Sequence, residues 1–198
     1  MYKLLIFDLD GVLVDSKEMH SKTLTDAIQM HSPDHVLSNA AQSIIQMAIP
    51  TIEKLSKMGF DKVQIEEISA KKQELAVREI AGIHQDKKLI KLLQKASQKF
   101  YVAVASNSHT LTVKGILGQL GILDYVNFYI GNDQVSKTKP NPEMFLTCMN
   151  HFKVTSSETV VFEDSPVGLM AARLSGASVV QVQDSKDLKK KLRKYVHR

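Results

Sequence analysis

Six polar side chains of this 198-residue sequence stand at or just past the ends of apolar runs, and a seventh stands before a helical segment. Asp8 and Asp10 follow "YKLLIF" (2–7), Ser106 and Asn107 close "YVAVAS" (101–106), Lys139 lies in "KTKPNP", and Glu163 and Asp164 close "TVVFE" (159–163). An Asp-x-Asp pair alone is common in loops, where short carboxylates bond nearby backbone. Acids, a hydroxyl and an amine at several strand exits are another matter, because buried charge is costly unless paired. Together they suit a phosphate dianion. Acids alone would repel it, so a hard cation is needed, and the oxygens of Asp8, Asp10 and Asp164 suit Mg²⁺. Lys139 supplies a fixed positive charge, while the Ser106 hydroxyl and nearby backbone N–H groups can hold phosphate oxygens. A carboxylate remains to attack phosphorus, and a second acid to protonate the leaving oxygen.

The elements that must position these groups follow from patterning. The three strong runs named above, with weaker ones at 126–131 and 177–182, alternate with segments of helical periodicity, the signature of βαβ units and a parallel sheet. Helices are expected at 109–120 and 166–175, closed by Gly121 and Gly176, and at 141–152 and 186–195. Functional residues of a parallel sheet gather past the carboxyl ends of its strands. Between the first and second strands, segments 17–31, 64–81 and 86–99 read as helices, with Ile65, Ile68, Leu75 and Ile80 at helical spacing. A connection that long must carry its own structure. The expected architecture is α/β: a Rossmann-like parallel sheet core (1–15 and 86–198) with an inserted α-helical cap (16–85), in which "HSPDH" (31–35) makes a turn.

Composition narrows the class. A 43% hydrophobic and 24% charged content is that of a soluble globular protein, and no run approaches a membrane span. The chain enters its first strand without a signal-peptide pattern, and Cys148, the sole cysteine, allows no internal disulfide, so a cytoplasmic location is expected. The net charge of +5 is local: residues 186–198 hold seven Lys or Arg and one Asp, against 19 basic and 20 acidic residues elsewhere. This tail reads first as a solvated helix with Leu188, Leu192 and Tyr195 turned inward, and second as a face for a phosphate-rich partner.

In order, the motifs "DLDGV", "VAVASNS", "KPNPEMF" and "EDSPVGLMAA" with "SGA" following resemble those of the haloacid dehalogenase-like hydrolase superfamily, over almost the whole chain. The branch resembled carries a helical cap after the first strand and includes β-phosphoglucomutase and small sugar and phosphoglycolate phosphatases. The resemblance implies a Rossmann-like core and a Mg²⁺-dependent phosphatase acting on a small phosphorylated metabolite. It makes Asp8 the nucleophile that forms an aspartyl-phosphate. Asp10 becomes the acid and then the base, its carbonyl meeting the metal, while Ser106 and Asn107 bind the phosphoryl group. Lys139 would bridge that group and Asp8; Asp164 would ligate Mg²⁺, with Glu163 beside it directly or through water. The second acid, Asp10, argues for phosphoryl chemistry over dehalogenation.

The insert is less informative. It has Gly59 alone between residues 12 and 81, so no specificity loop can be assigned, and "HQDKK" (84–88) replaces a Pro-Gly turn of many relatives. His20 sits at the spacing of a substrate-contacting His in the mutase branch, or is a plain helix residue. His31 and His35 are broken by Pro33 as a metal pair; Lys71 and Arg78 read as solvated; Met144, Met149, Met170 and Cys148 read as core or structural. Two alternatives remain: a phosphosugar mutase, and a non-catalytic binding module using the basic tail. A nucleic-acid partner is not expected, the tail being its only support, and a monomer is the default.

Overall fold

The computed structural model describes residues 1–33, 36–47 and 49–197. His35, and with it part of the "HSPDH" turn and the His31–His35 pair, lies outside the described residues. Five strands, β1 (Leu4–Phe7), β2 (Tyr101–Ala105), β3 (Phe128–Ile130), β4 (Thr159–Glu163) and β5 (Ser178–Gln181), form one parallel sheet in the order β3-β2-β1-β4-β5. β1 pairs with β2 on one side and β4 on the other, Phe7 lying level with Val104 and Phe162. The chain builds outward from β1 to β3, then returns to the far side through α7 (Glu143–Phe152). The switch point of this parallel sheet, where a crevice forms past the strand ends, is therefore at β1.

Every residue of β1 and β4 is buried, as expected of central parallel strands covered on both faces. On one face Leu4, Ile6, Ala103, Ala105 and Val161 pack with Met144, Phe145, Cys148 and Met149 of α7 and with Ala171 and Ala172 of α8 (Pro166–Leu174). Met170, expected in the core, is half exposed: Leu169, Ala171 and Ala172 occupy the inward side of α8 and turn it out. On the other face Phe7 stacks on Phe162 (centroids 4.7 Å apart), under α5 (Lys87–Ser97) and α9 (Ser185–Val196). Leu188 and Leu192 are buried as their spacing predicts, and Tyr195 is half-buried against Phe162 and Tyr2. α6 (Thr110–Gln119) connects β2 to β3, and Gly121 and Gly176 follow their helices at positive φ.

Residues 16–82 form a second compact unit, separate from 1–15 and 83–198. It comprises α1 (Lys17–His31), α2 (Asn39–Ile45), α3 (Thr51–Lys57) and α4 (Lys62–Glu79). Leu24, Ala27 and Ile28 of α1 meet Ile45, Leu55 and Ile68 in its core, with Ile65 and Leu75 alongside. Asp61 opens α4 with a capping box: its carboxylate accepts the Gln64 N–H and the Gln64 side chain accepts its own N–H, both at 3.0 Å. Lys71 and Arg78 share Glu74 on the exposed side of α4, so neither is a bare cation. His31 lies 3.3 Å from Glu67 in the same unit. No helix among the described residues is long and apolar enough to cross a membrane.

Candidate active site

Lys139 anchors the site. Its stem enters from the loop before α7, and its ammonium, almost fully buried, donates to Asp8 Oδ1 (2.6 Å), Glu163 Oε2 (2.7 Å) and the Ala105 carbonyl (2.8 Å). These partners end β1, β4 and β2, so one cation ties three neighbouring strands at their carboxyl ends. An ammonium has three protons to donate, and all three are used. Burial pulls its pKa down, but Asp8 and Glu163 outweigh burial and hold it above the ordinary lysine value. The Phe145 ring lies 4.9 Å from the ammonium, which accounts for the Phe closing "KPNPEMF".

Asn107 grips the same residue from behind: its amide oxygen accepts the Lys139 N–H (3.1 Å) and its amide nitrogen donates to the Lys139 carbonyl (3.4 Å). Its own carbonyl accepts from Asn132 (2.8 Å). The Lys139–Pro140 peptide is cis. Farther along the motif, Asn141 caps the Glu143 N–H (3.0 Å), and the Glu143 carboxylate fastens Ser136 and Lys137.

Glu163 is fully buried and its two oxygens take opposite duties. Oε1 accepts from the Asp164 N–H (3.0 Å), the Ser165 N–H (3.1 Å) and the Ser165 hydroxyl (3.0 Å), while Oε2 accepts from the Lys139 ammonium. Ser165 also caps α8 through the Gly168 N–H (3.1 Å). Gly168 is where the helix passes the carboxylate: a methyl group there would overlap Glu163. Gly11 does the same for Asp164, and with φ of 91° it also holds a backbone shape that side chains disfavour. The glycines in "DLDGV" and "EDSPVG" thus leave room for the two acids of the fourth motif.

Asp8 is buried at the end of β1. Burial first, and then repulsion from Glu163, hold its carboxyl well above the ordinary carboxylate range against the pull of Lys139. One ammonium for this many acids leaves an unfilled need for positive charge. Asp8, Glu163 and Asp164 each offer an oxygen within 4.8 Å of the others, a hard-donor set that fits a small divalent cation. Asp10, two residues on, accepts from the Ser106 hydroxyl (3.1 Å) and the Ser108 hydroxyl (3.0 Å). Ser106 in turn accepts the Ser108 N–H (3.0 Å) and is fully buried.

All the expected residues except His20 therefore meet at one rim of the sheet unit; His20 belongs to the helical unit. Ser108, Phe145, Gly11 and Gly168 join them without having been singled out. Gly11, Phe145 and Gly168 are letters of the D-x-D-G, K-P-x-P-x-x-F and E-D-S-x-x-G patterns in the quoted motifs, whereas nothing in the second motif marks Ser108.

A parallel α/β sheet whose switch point gathers acids, a lysine and hydroxyls defines a class of hydrolase, and the comparisons give the family. Residues 5–182 match the haloacid dehalogenase-like hydrolase model. The chain belongs to that family. It is 28% identical over 185 residues to a Haemophilus influenzae protein, with 92% of each chain covered. It is 25% identical to the fructose-1-phosphate phosphatase YqaB of Escherichia coli, over 92% of this chain and 97% of that one. Among solved structures it resembles CbbY from Rhodobacter sphaeroides in complex with phosphate, with a TM-score of 0.81 at 20% identity, over 92% of this chain and 86% of that one.

Proposed function

We propose that the protein is a Mg²⁺-dependent phosphatase that hydrolyses a monoester of a small metabolite, a sugar phosphate foremost, through an aspartyl-phosphate at Asp8. The observation that carries this reading is the Asp8–Lys139–Glu163 junction. A buried carboxylate at a strand end, held 2.6 Å from a fixed ammonium and beside further acids, is poised to meet an anion once a divalent cation supplies the missing charge. The sugar-phosphate class is supported by the fructose-1-phosphate phosphatase among the relatives.

Asp8 and Asp164 would hold the cation, with the Asp10 carbonyl and with Glu163 directly or through water; bound there, Mg²⁺ would supply charge neutralisation at the phosphoryl oxygens. An Asp8 oxygen attacks phosphorus, the bond from phosphorus to the leaving oxygen breaks, and Asp10 gives that oxygen its proton. Asp10, now a carboxylate, takes a proton from water; the resulting oxygen attacks phosphorus, freeing phosphate and restoring Asp8. Lys139 stays charged throughout and stabilises the equatorial oxygens. Ser106, whose hydroxyl donates to Asp10, would donate to a phosphoryl oxygen of the substrate. Asn107 supports this site by fixing the Lys139 backbone.

The test is phosphate release from sugar phosphates, nucleotides, phosphoglycolate and an aryl phosphate, with Mg²⁺ and with chelator. Wild type is expected to release phosphate only with metal, and Asp8→Asn to release none while remaining folded. Metal-independent release, or turnover by Asp8→Asn, would overturn the reading; isomerised sugar phosphate outpacing free phosphate would make the enzyme a mutase.

A further inference from the structure

The basic tail does not stand alone. Asp86 at the start of α5 pairs with Lys189 of α9, and Lys99, just past the end of α5, donates to the Val196 carbonyl at the end of α9 (2.9 Å). Contacts at both matching ends make the two helices parallel neighbours on one face of the sheet. Residues 86–99 hold five Lys and one Asp, and residues 184–197 hold six Lys or Arg and two Asp. The remainder of the chain has 15 basic and 18 acidic residues, so the excess positive charge belongs to this helix pair.

Its arrangement is regular. Lys87, Lys91 and Lys95 follow one another at i,i+4 along α5, and Lys186, Lys190 and Lys194 do so along α9; all six are exposed. Each set forms a stripe with a rise of about 6 Å per step, and packed helix axes lie about 8–10 Å apart. Neither helix contains a glutamate. The three acids are spent within the pair: Asp86 and Asp184 cap the helices, and Asp187 pairs with Lys191 at 2.6 Å. Among the described residues no acid is ion-paired with any of the six striped lysines. A helix surface selected only for solubility alternates signs, because like charges at i,i+4 repel and cations near a helix N-terminus oppose its dipole. Both penalties are present here, twice, and in parallel.

We propose that the α5–α9 face docks the phosphate backbone of double-stranded nucleic acid without reading its sequence. Eight of the nine exposed cations, Lys88 and Lys99 included and Arg193 the exception, are lysines, which engage phosphate as point charges and not as base-reading forks. The other exposed side chains of the two described segments are Gln94, Gln98, Asp184 and His197, and Tyr195 is half-buried, so no fully exposed aromatic ring is offered for stacking on unpaired bases. Nor is any apolar side chain exposed there to enter a bilayer, and a polybasic patch alone is a weak membrane anchor. The remainder of the chain carries net negative charge, which would favour this face in meeting a polyanion.

The test is fluorescence anisotropy of a labelled mixed-sequence DNA duplex with the full-length protein, from about 20 to 200 mM salt, the range over which phosphate contacts reveal themselves. Wild type is expected to bind at low salt with log K falling linearly against log salt. Lys190→Glu with Lys194→Glu should weaken binding tenfold or more at low salt and make the slope shallower by about 1.8, at about 0.9 per lost phosphate contact. Lys57→Glu, in the helical unit, should change neither. Circular dichroism establishes that each variant is folded, and if the α9 pair fails, Lys91→Glu with Lys95→Glu on α5 makes the same test. No duplex binding by wild type at low salt, or a slope indifferent to both charge reversals, would overturn the proposal. Binding to phosphatidylserine vesicles in place of duplex would overturn it in favour of a membrane surface.

Discussion

Replacing Glu163 with Gln isolates what that carboxylate contributes. A carboxylate accepts on both oxygens; an amide accepts on one and donates from the other. With its oxygen toward the Asp164 N–H, Ser165 N–H and Ser165 hydroxyl, the amide would point N–H groups at the Lys139 ammonium now 2.7 Å from Oε2. Turned over, it keeps Lys139 and loses three donors. Either way a fully buried partnership is broken, and removing one member of a buried ion pair typically costs about 3–5 kcal/mol. Lys139 retains Asp8 and the Ala105 carbonyl, which favours the lower end, about 3 kcal/mol. Urea unfolding in chelator, followed by circular dichroism, reads this directly. With a slope of about 2–3 kcal/mol per molar for a chain of this size, the midpoint should fall by about 1–1.5 M. Ser165→Ala, which removes one hydroxyl, should cost about 1 kcal/mol. A Glu163→Gln protein within about 0.5 kcal/mol of wild type would refute the claim that this carboxylate holds the junction together.

Other expectations follow from the same geometry. Gly11→Ala should abolish phosphatase activity, measured as phosphate release, because the added methyl displaces Asp164 and the backbone has φ of 91°. The Cys148 thiol, pushed up to about 12 by burial, should resist alkylation at pH 8 in folded protein and react on unfolding, as read by intact mass. Hydrogen bonding to Lys3, with the Thr155 N–H, lowers the Glu158 carboxyl to about 2. Its contribution to stability is thus present above the unfolded value near 4.5 and lost as pH falls from there through about 2. Carbon-detected titration should find Glu158 near 2 and find it raised in Lys3→Ala.

Sequence reading reaches some parts of this molecule better than others, for physical reasons. Central parallel strands are buried on both faces, so "YKLLIF" and "TVVFE" stand out as unbroken apolar runs; β3 has three residues and two are only half-buried, so its signal is weak. α2 and α3 have seven residues each, too few for periodicity to emerge, and their ends are set by Ser38 and Pro50. α7 stops on Lys153 in a left-handed conformation, where no glycine announces the end. The acids and Ser106 were legible because polar groups at strand exits have no packing rationale, and Lys139 because it opens the "KPNPEMF" motif before a helix. Ser108 was not: it follows Ser106 by two residues in a turn, and only the folded turn aims both hydroxyls at Asp10. Asn107 was recognised as belonging to the site, but its grip on the Lys139 backbone, across 32 residues, is a property of the fold.

The proposed mechanism requires Asp8 to become covalently phosphorylated during turnover. Borohydride reduces an acyl phosphate to an alcohol, so quenching the working enzyme with it and mapping peptides by mass spectrometry asks the question directly. Asp8 is expected to convert to homoserine, dependent on substrate and Mg²⁺, and to stay unconverted in a Lys139→Ala protein that no longer turns over. Sustained phosphate release with Asp8 unmodified, or modification at another acid, would contradict it.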